Sequence, residues 1–319
     1  MSAFRGKTLI IVNPAAQSGA AAHVGERLQR FLGLYLRDQG TFELVRTERP
    51  RQAINIAAGA ADFETVLAVG GDGIVHEVAN GLMRIPAVDR PALGVVPVGS
   101  GNDYARTLGM PEVARDDDLA VLLSCERHAL DVGVLDLTSA GGSVRREHFV
   151  QTFSFGLDAA IALGTFDLRK RTGLAGDPLY LLSGLRVIAL DYRDFPASVA
   201  FDGAPTERMC PLTFAVQIGP TYGSGFKICP DADPVDGMFD ICYVSGPMLR
   251  LFAPSLLMAA KTGRHVHNRR AHLKRVRSVS LSFEEPGVYP AQADGERIEA
   301  SHVTARIVPQ ALTVLAPSL

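Results

Sequence analysis

The stretch TVLAVGGDGIVHEV, residues 65–78, decides the fold class of this chain. It opens with a short, mainly apolar run, which is typical of a strand buried on both faces of a sheet. A glycine-rich turn around Asp72 ends this run, and Ile74, Val78 and Leu82 then recur at the spacing of one helix face. A buried strand that passes through a tight turn into a helix is the repeating unit of an α/β domain.

The same rhythm extends in both directions up to about residue 125. The predicted strands lie at 8–12, 42–45, 65–69 and 93–96, and the predicted helices at 20–37, 52–60, 74–82 and 104–108. Strands separated by helices of this length predict right-handed βαβ units and a mostly parallel sheet.

The pattern changes from about residue 130. Short β-branched runs at 195–201, 212–218, 239–244 and 276–283 are separated by Gly, Pro and Asp, which is typical of an antiparallel sheet or sandwich. Helices are predicted at 179–190 and 248–261, and a last strand at 312–315. We therefore predict an α/β N-terminal domain over 1–129, to which a strand within 309–319 returns, and a mainly antiparallel β-sandwich domain over 130–308.

Composition excludes several classes of protein. The 319 residues include 32 basic and 34 acidic side chains, a net charge of −2, so a nucleic-acid partner is not expected. The longest uncharged stretch, 209–226, is broken by glycines and prolines and does not resemble a spanning helix. No signal peptide is evident and the four cysteines form no C-x-x-C pair, so a cytoplasmic chain with reduced thiols is expected. The sequence is compatible with a homodimer but does not determine the oligomeric state.

The turn around Asp72 has two interpretations. Glycines at the carboxyl end of a parallel strand let backbone amides approach an anion, and the following helix start adds partial positive charge. A carboxylate among such amides repels a bare phosphate, so Asp72 favours a nucleotide that carries Mg²⁺. Alternatively, the turn is only a tight strand–helix connection that Asp72 caps.

A second glycine turn, residues 97–103, follows the strand at 93–96 and precedes the predicted helix at 104–108. Two such turns at neighbouring strand ends favour the ligand-binding interpretation. The chain lacks the G-x-x-x-x-G-K-[ST] pattern of P-loop NTPases. It also lacks the dinucleotide pattern G-x-G-x-x-G, because Tyr104 stands at the third glycine position.

Two acidic segments lie in the second half. The segment 231–240 contains four aspartates but is not an EF-hand, since its twelfth position is Cys242. It is either a solvated turn or a hard-cation site built from Asp233, Asp236 and a nearby backbone carbonyl. Residues 293–296, Ala-Asp-Gly-Glu, are by themselves a hairpin turn, because Asp-Gly is a strong turn signal.

Taken together, these segments resemble one family. The series consists of a strand ending in Asn-Pro (13–14), G-G-D-G (70–73), E-V-x-N-G-L (77–82), P-x-G-x-x-N-D-x-A-R (97–106) and D-G-E (294–296). It resembles the diacylglycerol kinase catalytic domain over nearly the whole chain, and most of all the bacterial soluble lipid kinases of the diacylglycerol kinase and YegS-like group. The resemblance implies ATP-dependent phosphorylation of a lipid hydroxyl, with nucleotide and lipid meeting in the cleft between two domains.

The resemblance also assigns roles to residues. Glu296 matches the general base for the lipid hydroxyl, Asp72 would act through Mg²⁺, and Asp294 and Asp131 match further acidic positions. Asp233, Asp236 and the carbonyl of Met238 match a structural Mg²⁺ site. The positions matched to nucleotide binding are Asn13, Thr47, Gly70, Gly71, Asp72, Gly73, Ile74, Val75, His76, Ser100 and Asn102.

The chain departs from the family pattern in three places. Ile74 replaces the usual threonine at the start of the helix, which removes a hydroxyl that contacts phosphate. Ser100 and Gly101 replace a threonine and a small residue. The first loop, residues 15–19, lacks the basic residue that relatives often carry.

Two alternative functions and the identity of the lipid stay open. NAD kinases share the G-G-D-G turn, and the loss at Ile74 is also compatible with a regulator that binds nucleotide or lipid without catalysis. The helix at 179–190 either lines a cleft for an acyl chain or belongs to the core. The segment 264–277, with six basic residues and no acids, is either a solvated strand or a contact for anionic lipid. The expected location is cytoplasmic, with transient peripheral contact at the inner membrane face.

Overall fold

The structure is a computed structural model that describes residues 6–35, 40–113, 116–285 and 289–317. The chain divides into two compact units, unit 1 with Met1–Leu130 and Gln310–Leu319, and unit 2 with Asp131–Pro309. Residues 36–37 of the first predicted helix and residues 318–319 of the predicted returning segment lie outside the described residues.

Unit 1 alternates strands and helices along the chain. Its elements are β1 (Gly6–Val12), α1 (Ala20–Tyr35), β2 (Gly40–Arg46), α2 (Gln52–Ala58), β3 (Thr65–Gly70), α3 (Asp72–Leu82), β4 (Ala92–Pro97), α4 (Asp103–Thr107), α5 (Asp116–Leu119) and α6 (Val121–Ser124).

The sheet of unit 1 has the order β2-β1-β3-β4, and all three pairings are parallel. The last strand of the chain lies beside β4, where Val314 pairs with Leu93 in parallel. Every residue of β3 and β4 is buried, as expected for strands that have helices on both faces. The predicted α/β domain with a mostly parallel sheet is confirmed.

Close packing positions the helices of unit 1. A side chain at Gly25 of α1 would place its Cβ 2.9 Å from Val12 Cγ2, so glycine lets α1 approach β1. A side chain at Gly81 of α3 would overlap the carbonyl oxygen of Ile54 in α2. The glycine of the E-V-x-N-G-L segment therefore serves the contact between two helices.

Unit 2 is rich in strands and contains helices as well. The strand β5 (Glu126–Thr138) leads into it from unit 1. Its further elements are β6 (Val144–Phe149), β7 (Thr152–Gly156), α7 (Leu157–Thr172), α8 (Gly176–Leu190), β8 (Ala197–Phe201), β9 (Glu207–Met209), β10 (Pro211–Gln217), β11 (Phe239–Ser245), α9 (Ala253–Lys261), β12 (Ala271–Val276), β13 (Ser278–Phe283), β14 (Ala291–Ala293), β15 (Glu296–Arg297) and β16 (His302–Ala316).

The strands of unit 2 form two layers. One layer is a six-stranded sheet in the order β12-β11-β10-β7-β14-β15, and the other contains β5, β6, β8, β9, β13 and the first half of β16. Aromatic pairs join the layers: the ring centroids of Phe155 and Phe283 are 5.0 Å apart, and those of Phe201 and Phe214 are 6.4 Å apart. The predicted antiparallel sandwich is confirmed.

One prediction about the elements of unit 2 is wrong, and one helix was missed. The single strand at 276–283 is two strands, because Asp202 Oδ1 accepts the amides of Arg277 and Ser278, both at 2.8 Å, and the chain bends there between sheets. The helix α7 was not predicted at all, since its apolar residues do not follow one helical stripe. Among the described helices, none is long and apolar enough by itself to cross a membrane, and α7 and α8 reach that length only as a pair bent by 112°.

Candidate active site

Four strand ends meet at one edge of the unit 1 sheet. The register pairs Val12 with Arg46 and with Val69, and Gly70 with Pro97. The residues that follow these ends are therefore neighbours, as expected for the carboxyl edge of a parallel sheet. The predicted nucleotide-binding positions at this edge are Asn13, Thr47, Gly70, Gly71, Asp72, Gly73, Ser100 and Asn102.

Backbone hydrogen bonds hold the first of these segments in place. The Asn13 amide donates to Val69 O at 3.1 Å, and the Thr47 amide donates to Val12 O at 2.9 Å. The Thr47 hydroxyl also donates to Val12 O at 3.4 Å, and the residue is buried. Thr47 therefore ties β2 to β1 next to the glycine turns.

The two glycine turns touch each other through their backbones. The Val98 amide donates to Gly70 O at 2.7 Å. A Cβ on Gly71 would lie 3.1 Å from the Cα of Gly99, and a Cβ on Gly99 would overlap the Cα of Gly71. Both positions therefore require glycine because the backbones approach too closely for a side chain.

Asp72 and Asn102 place polar atoms beside this contact. Asp72 lies in the first turn of α3, where the positive end of the helix dipole favours a carboxylate, and its Oδ1 accepts the Tyr104 amide at 3.3 Å. Asn102 has left-handed backbone geometry, with φ of 54°, and its Nδ2 donates to Gly99 O at 2.9 Å. Asn102 Oδ1 is buried against Gly99 and makes no hydrogen bond in the described part of the chain.

Three of the predicted nucleotide-binding residues point their side chains into the protein. Ile74, Val75 and His76 are 3%, 2% and 0% exposed. The amides of Ile74 and Val75 already donate to Gly71 O, at 3.2 and 3.4 Å. His76 is held by Asn80, whose Nδ2 lies 3.3 Å from His76 Nε2 and donates to His76 O at 2.9 Å. The buried side chains of these residues therefore support the turn from the protein interior.

Two other motif carboxylates support the edge. Glu77 Oε1 and Oε2 accept the amides of Arg51 and Ala53, at 2.8 and 3.1 Å, and so cap α2. Arg106 Nη1 donates to Asp103 Oδ1 at 3.1 Å and to Gly101 O at 3.0 Å. The N-D-x-A-R segment therefore fixes the second glycine turn through its own ion pair.

The D-G-E segment of unit 2 is a hairpin turn between β14 and β15, as predicted. Asp294 and Gly295 both have positive φ, as the turn requires. Asp294 is 7% exposed, and its carboxylate accepts three amides at 2.9 Å, those of Val150, Gln151 and Thr152. Asp294 therefore anchors the turn, while Glu296 follows it on β15 and is partly exposed.

Asp131 also accepts a backbone amide. Its side chain is 1% exposed, and Oδ2 accepts the Gly237 amide at 2.6 Å. The Asp131 amide donates to Pro234 O at 2.9 Å. Asp131 thus holds the acidic segment 231–240 against β5.

The predicted structural Mg²⁺ site was tested against this segment. Asp233 Oδ1 accepts the Val235 amide at 3.1 Å, and Asp236 Oδ1 accepts the Met238 amide at 2.9 Å. The other oxygen of Asp236 pairs with Arg275, whose Nε lies 3.6 Å from Asp240 Oδ1.

The Arg275 guanidinium supplies positive charge beside Asp236 in this arrangement, and the Mg²⁺ site at Asp233, Asp236 and the Met238 carbonyl stays a prediction. Over residues 6–35, 40–113, 116–285 and 289–317, no three His, Cys, Asp or Glu side chains form a group suited to a metal. Burial raises the pKa of Asp240, and the Arg275 guanidinium opposes that rise.

The basic segment 264–277 is partly engaged by the protein itself. Besides Arg275, Arg270 Nη1 donates to Pro247 O at 2.8 Å, and Lys274 Nζ lies 3.9 Å from the centroid of the Phe201 ring. His265 is buried, and the His272 ring stacks on Tyr243. These contacts weaken the interpretation of the segment as a surface for anionic lipid.

Sequence reasoning missed Asp158, in the first turn of α7. Its two carboxyl oxygens are buried and make no hydrogen bond of ordinary geometry with the described residues. Burial raises the pKa of this carboxyl to about 7, against the smaller opposite effects of the Ser154 hydroxyl and nearby amides. The sequence did carry a signal, because a glycine ends the apolar run of β7 and an acidic residue stands two positions later, as at the start of a helix.

Comparison with known proteins adds to this geometry. The sequence profile of the diacylglycerol kinase catalytic domain matches residues 7–135. The profile of the YegS C-terminal NAD kinase beta sandwich-like domain matches residues 151–316, which is more than half of the chain.

The chain belongs to the diacylglycerol kinase and YegS-like lipid kinase family. A protein of Chromohalobacter salexigens named "Probable lipid kinase YegS-like" is 31% identical over 266 residues, which cover 82% of this chain and 78% of that protein. A protein of Bacillus subtilis named diacylglycerol kinase is 28% identical over 285 residues, 86% of each chain. The family of this chain is thus one of kinases, which confirms the predicted class of enzyme.

Solved structures agree on the fold. A crystal structure of a diacylglycerol kinase from Bacillus anthracis superposes with a TM-score of 0.73 and 21% identity, over 97% of this chain and 96% of that one. At that identity the likeness concerns the fold alone.

Proposed function

We propose that this chain is an ATP-dependent lipid kinase that transfers the γ-phosphate of ATP to a hydroxyl of a membrane lipid, diacylglycerol or a similar alcohol. Unit 1 would bind the nucleotide and unit 2 the lipid. The proposal places the enzyme in the cytoplasm, in transient contact with the inner face of the membrane.

The observation that carries the proposal is the carboxyl edge of the unit 1 sheet. Two glycine turns touch there without side chains between them, and the helix α3 begins at the same point. Exposed backbone at a helix start suits the phosphates of a nucleotide. Asp72, in the first turn of α3, adds a carboxylate that could hold Mg²⁺ beside those phosphates.

The chemistry needs alignment and charge neutralisation more than a covalent intermediate. The hydroxyl oxygen of the lipid would form a bond to the γ-phosphorus, the bond from that phosphorus to the β–γ bridging oxygen would break, and ADP would leave with the electron pair. Glu296 would accept the hydroxyl proton, and such a general base contributes a factor of about 10²–10⁴ in rate. Asp72 would hold Mg²⁺ against the phosphates, and bound Mg²⁺ neutralises the charge that develops on them.

The test is transfer of labelled phosphate from ATP to a panel of lipids at controlled Mg²⁺. Label in a lipid that disappears when Mg²⁺ is chelated supports the proposal. NAD is included as an acceptor, because the matched sandwich domain is named after NAD kinase. Label in NAD alone would replace the lipid kinase with an NAD kinase, and label in neither would favour a regulator without catalysis.

Glu296→Gln tests the proposed base. We expect turnover to fall by about 10²–10⁴, while ATP binding by isothermal titration stays unchanged. Glu299→Gln is the matched control, because Glu299 is an exposed glutamate three residues further along. If turnover of Glu296→Gln stayed near that of the control, the base would be another residue.

A further inference from the structure

Two cysteines meet inside unit 2, one on β11 and one on the segment 227–230 that precedes it in the chain. Cys242 of β11 is 3% exposed, and Cys229 is 1% exposed. The Cys229 thiol donates to Asp240 O at 3.4 Å, and Asp240 stands two residues before Cys242 on the same strand. The two side chains are close enough to share a hydrogen bond. Side chains that already touch can close to a disulfide without a large movement of the backbone.

His265 places a proton donor beside one of these two sulfurs. Its Nε2 lies 3.6 Å from Cys242 Sγ and 3.0 Å from Ile228 O. Because a carbonyl oxygen only accepts, Nε2 carries the proton, and this N–H lies next to the sulfur. A neighbouring donor favours the thiolate, which is the reactive form of a cysteine.

The two thiols therefore differ in character. Hydrogen bonds from Cys229 and His265 lower the pKa of the Cys242 thiol, although burial acts in the opposite direction. Burial raises the pKa of the Cys229 thiol, and so does its contact with Cys242. The surroundings thus favour a thiolate at Cys242 and a thiol at Cys229, which is the arrangement of an attacking cysteine and its resolving partner.

A cavity gives small molecules a route to this pair. Cys242, His265 and Ile228 line a space of about 610 Å³, part of it open to solvent. A water molecule takes up about 30 Å³ in the liquid, and hydrogen peroxide, with one more oxygen atom, is small enough to enter such a space. Cys242 is therefore within reach of a dissolved oxidant.

The other two cysteines have different surroundings. Cys125 lies in unit 1, where burial raises the pKa of its thiol to about 11, and its sulfur lies 3.9 Å from Met110 Sδ. Cys210 is exposed, and the burial of part of its surface raises the pKa of its thiol as well. Of the four cysteines, all of which the structure describes, only Cys242 has a lowered pKa. We therefore expect oxidation to begin there.

We propose that Cys229 and Cys242 form an oxidation site, at which a hydroperoxide converts the two thiols into a disulfide. The Cys242 thiolate attacks one oxygen of the hydroperoxide and the O–O bond breaks. The other oxygen leaves with the electron pair and takes up the proton that Cys242 has released. The Cys229 sulfur then attacks the sulfenic acid at Cys242, an S–S bond forms, the S–O bond breaks, and water leaves with the Cys229 proton. Two thiols are thus oxidised, and one peroxide bond is reduced.

This inference goes beyond the proposed kinase function, because the step involves neither ATP nor lipid. In the cytoplasm, where that proposal places the chain, disulfides are usually transient and respond to oxidants. The pair would therefore be reduced at rest and would close only when a hydroperoxide is present.

The test is peptide mapping of the full chain after treatment with a few equivalents of hydrogen peroxide. Because no Lys or Arg stands between Lys227 and Arg250, both cysteines fall in one tryptic peptide, 228–250. After the remaining thiols are alkylated, we expect this peptide to carry no alkyl group and to be two hydrogens lighter than its reduced form. Dithiothreitol should restore alkylation at both cysteines. A peptide that stays fully alkylated, or a disulfide from Cys242 to any other cysteine, would overturn the proposal.

Single substitutions test the two roles. In Cys229→Ser we expect a sulfenic acid at Cys242, which dimedone traps, and no disulfide; Cys229→Ala replaces this variant if it does not fold. In Cys242→Ser the Cys229 thiol should stay reduced under the same conditions. Cys210→Ser is the matched control, since Cys210 is the exposed cysteine of unit 2, and the disulfide should form in it at the parental rate. Dimedone on Cys229 in Cys242→Ser, with none on Cys242 in Cys229→Ser, would contradict the assigned roles.

A comparison in urea shows whether the folded structure is required. The same treatment is applied to the parent chain above its unfolding transition. We expect the disulfide to form at least about tenfold faster in the folded chain, because only there does His265 lie beside Cys242 and favour the thiolate. Equal rates in both states would assign the oxidation to unfolded molecules and overturn the site.

Discussion

The motif turns of unit 1 and those of unit 2 use the backbone in opposite ways. In unit 1 the glycine turns bring two backbones into contact, so that no side chain stands between them at the edge of the sheet. In unit 2 the acidic motif residues use their carboxylates to satisfy backbone amides, three at Asp294 in its turn and one at Asp131 in β5. Motif segments that both suggest a binding site in the sequence therefore have different structural roles.

The difference shows which motif residues are left to meet a ligand. A carboxylate that accepts several buried amides is a fixed part of the fold, because moving it would leave those amides unsatisfied. Asp294 belongs to this group, and Glu77 of unit 1 accepts two amides at a less buried site. Asp72 and Glu296 are partly exposed. Substitution of single residues of each kind tests this difference.

The largest effect is expected at Asp158, whose carboxyl oxygens are buried in unit 2. Its pKa, raised by burial to about 7, means that the folded chain holds the proton more tightly than the unfolded chain. The stability it contributes is present at low pH and is lost as the pH rises from about 4 to about 7.

Asp158→Asn removes this dependence, and the difference in unfolding free energy between variant and parent should grow by as much as about 4 kcal/mol between pH 4 and pH 8. Urea denaturation over that range measures it. If the difference in unfolding free energy between variant and parent did not change with pH, the Asp158 carboxyl would be hydrated in the folded chain.

Gly99→Ala should give the next largest effect. The new Cβ overlaps the Cα of Gly71, so one turn must move away from the other. A displacement of about 1 Å can cost about 100-fold in rate, and we expect that loss in kcat/KM for ATP. Gly33→Ala is the control: it lies in α1 with open space around it, and its stability should rise by up to about 1 kcal/mol. If kcat/KM for ATP were unchanged in Gly99→Ala, the contact between the two turns would not be needed for nucleotide use.

Asp294→Asn tests the carboxylates that hold backbone. The asparagine side chain places an NH₂ group, a donor, opposite backbone amides that now donate to a carboxylate oxygen. We expect the free energy of unfolding to fall by about 1–3 kcal/mol. Turnover should fall as well, because Glu296 lies in the same hairpin. Asp202→Asn is the matched control. Like Asp294, Asp202 has positive φ and accepts backbone amides, two in this case, but it is exposed. Denaturation and turnover of both variants should show a loss of activity only at Asp294.

Glu77→Gln should have the smallest effect. The two amides at the start of α2 lose one carboxylate oxygen, and a helix cap of this kind contributes about 1 kcal/mol. Thermal unfolding measures the change against Glu43→Gln, an exposed glutamate on β2. A KM for ATP equal to that of the parent is expected; an altered KM would place Glu77 in contact with the nucleotide.

Local pattern predicted much of this fold. Continuous apolar runs identified β1, β3 and β4, because strands buried on both faces must be apolar throughout. The Asp-Gly pair identified the hairpin at 294–295, because both positions need positive φ. Helix α7 escaped prediction because apolar residues such as the exposed Phe166 lie outside its buried face, so its sequence lacks a single apolar stripe.

The candidate site was predictable only in part. The spacing of glycines and acids selected the right edge of the sheet, since parallel strands end together. It did not show that His76 is fully buried or that Arg275 neutralises the acidic segment, because both depend on neighbours far away in sequence.

The sequence by itself therefore determined the order of elements, the two kinds of domain and the turns at which a ligand can be bound. These follow from apolar periodicity and from the few residues that tolerate a tight turn. Only the tertiary structure decided which carboxylates are already used by backbone amides, and that the Asp158 carboxyl is buried. Whether a side chain already has hydrogen-bond partners depends on contacts between segments that are distant in sequence. Those contacts decide whether a polar residue stabilises the fold or can bind a ligand.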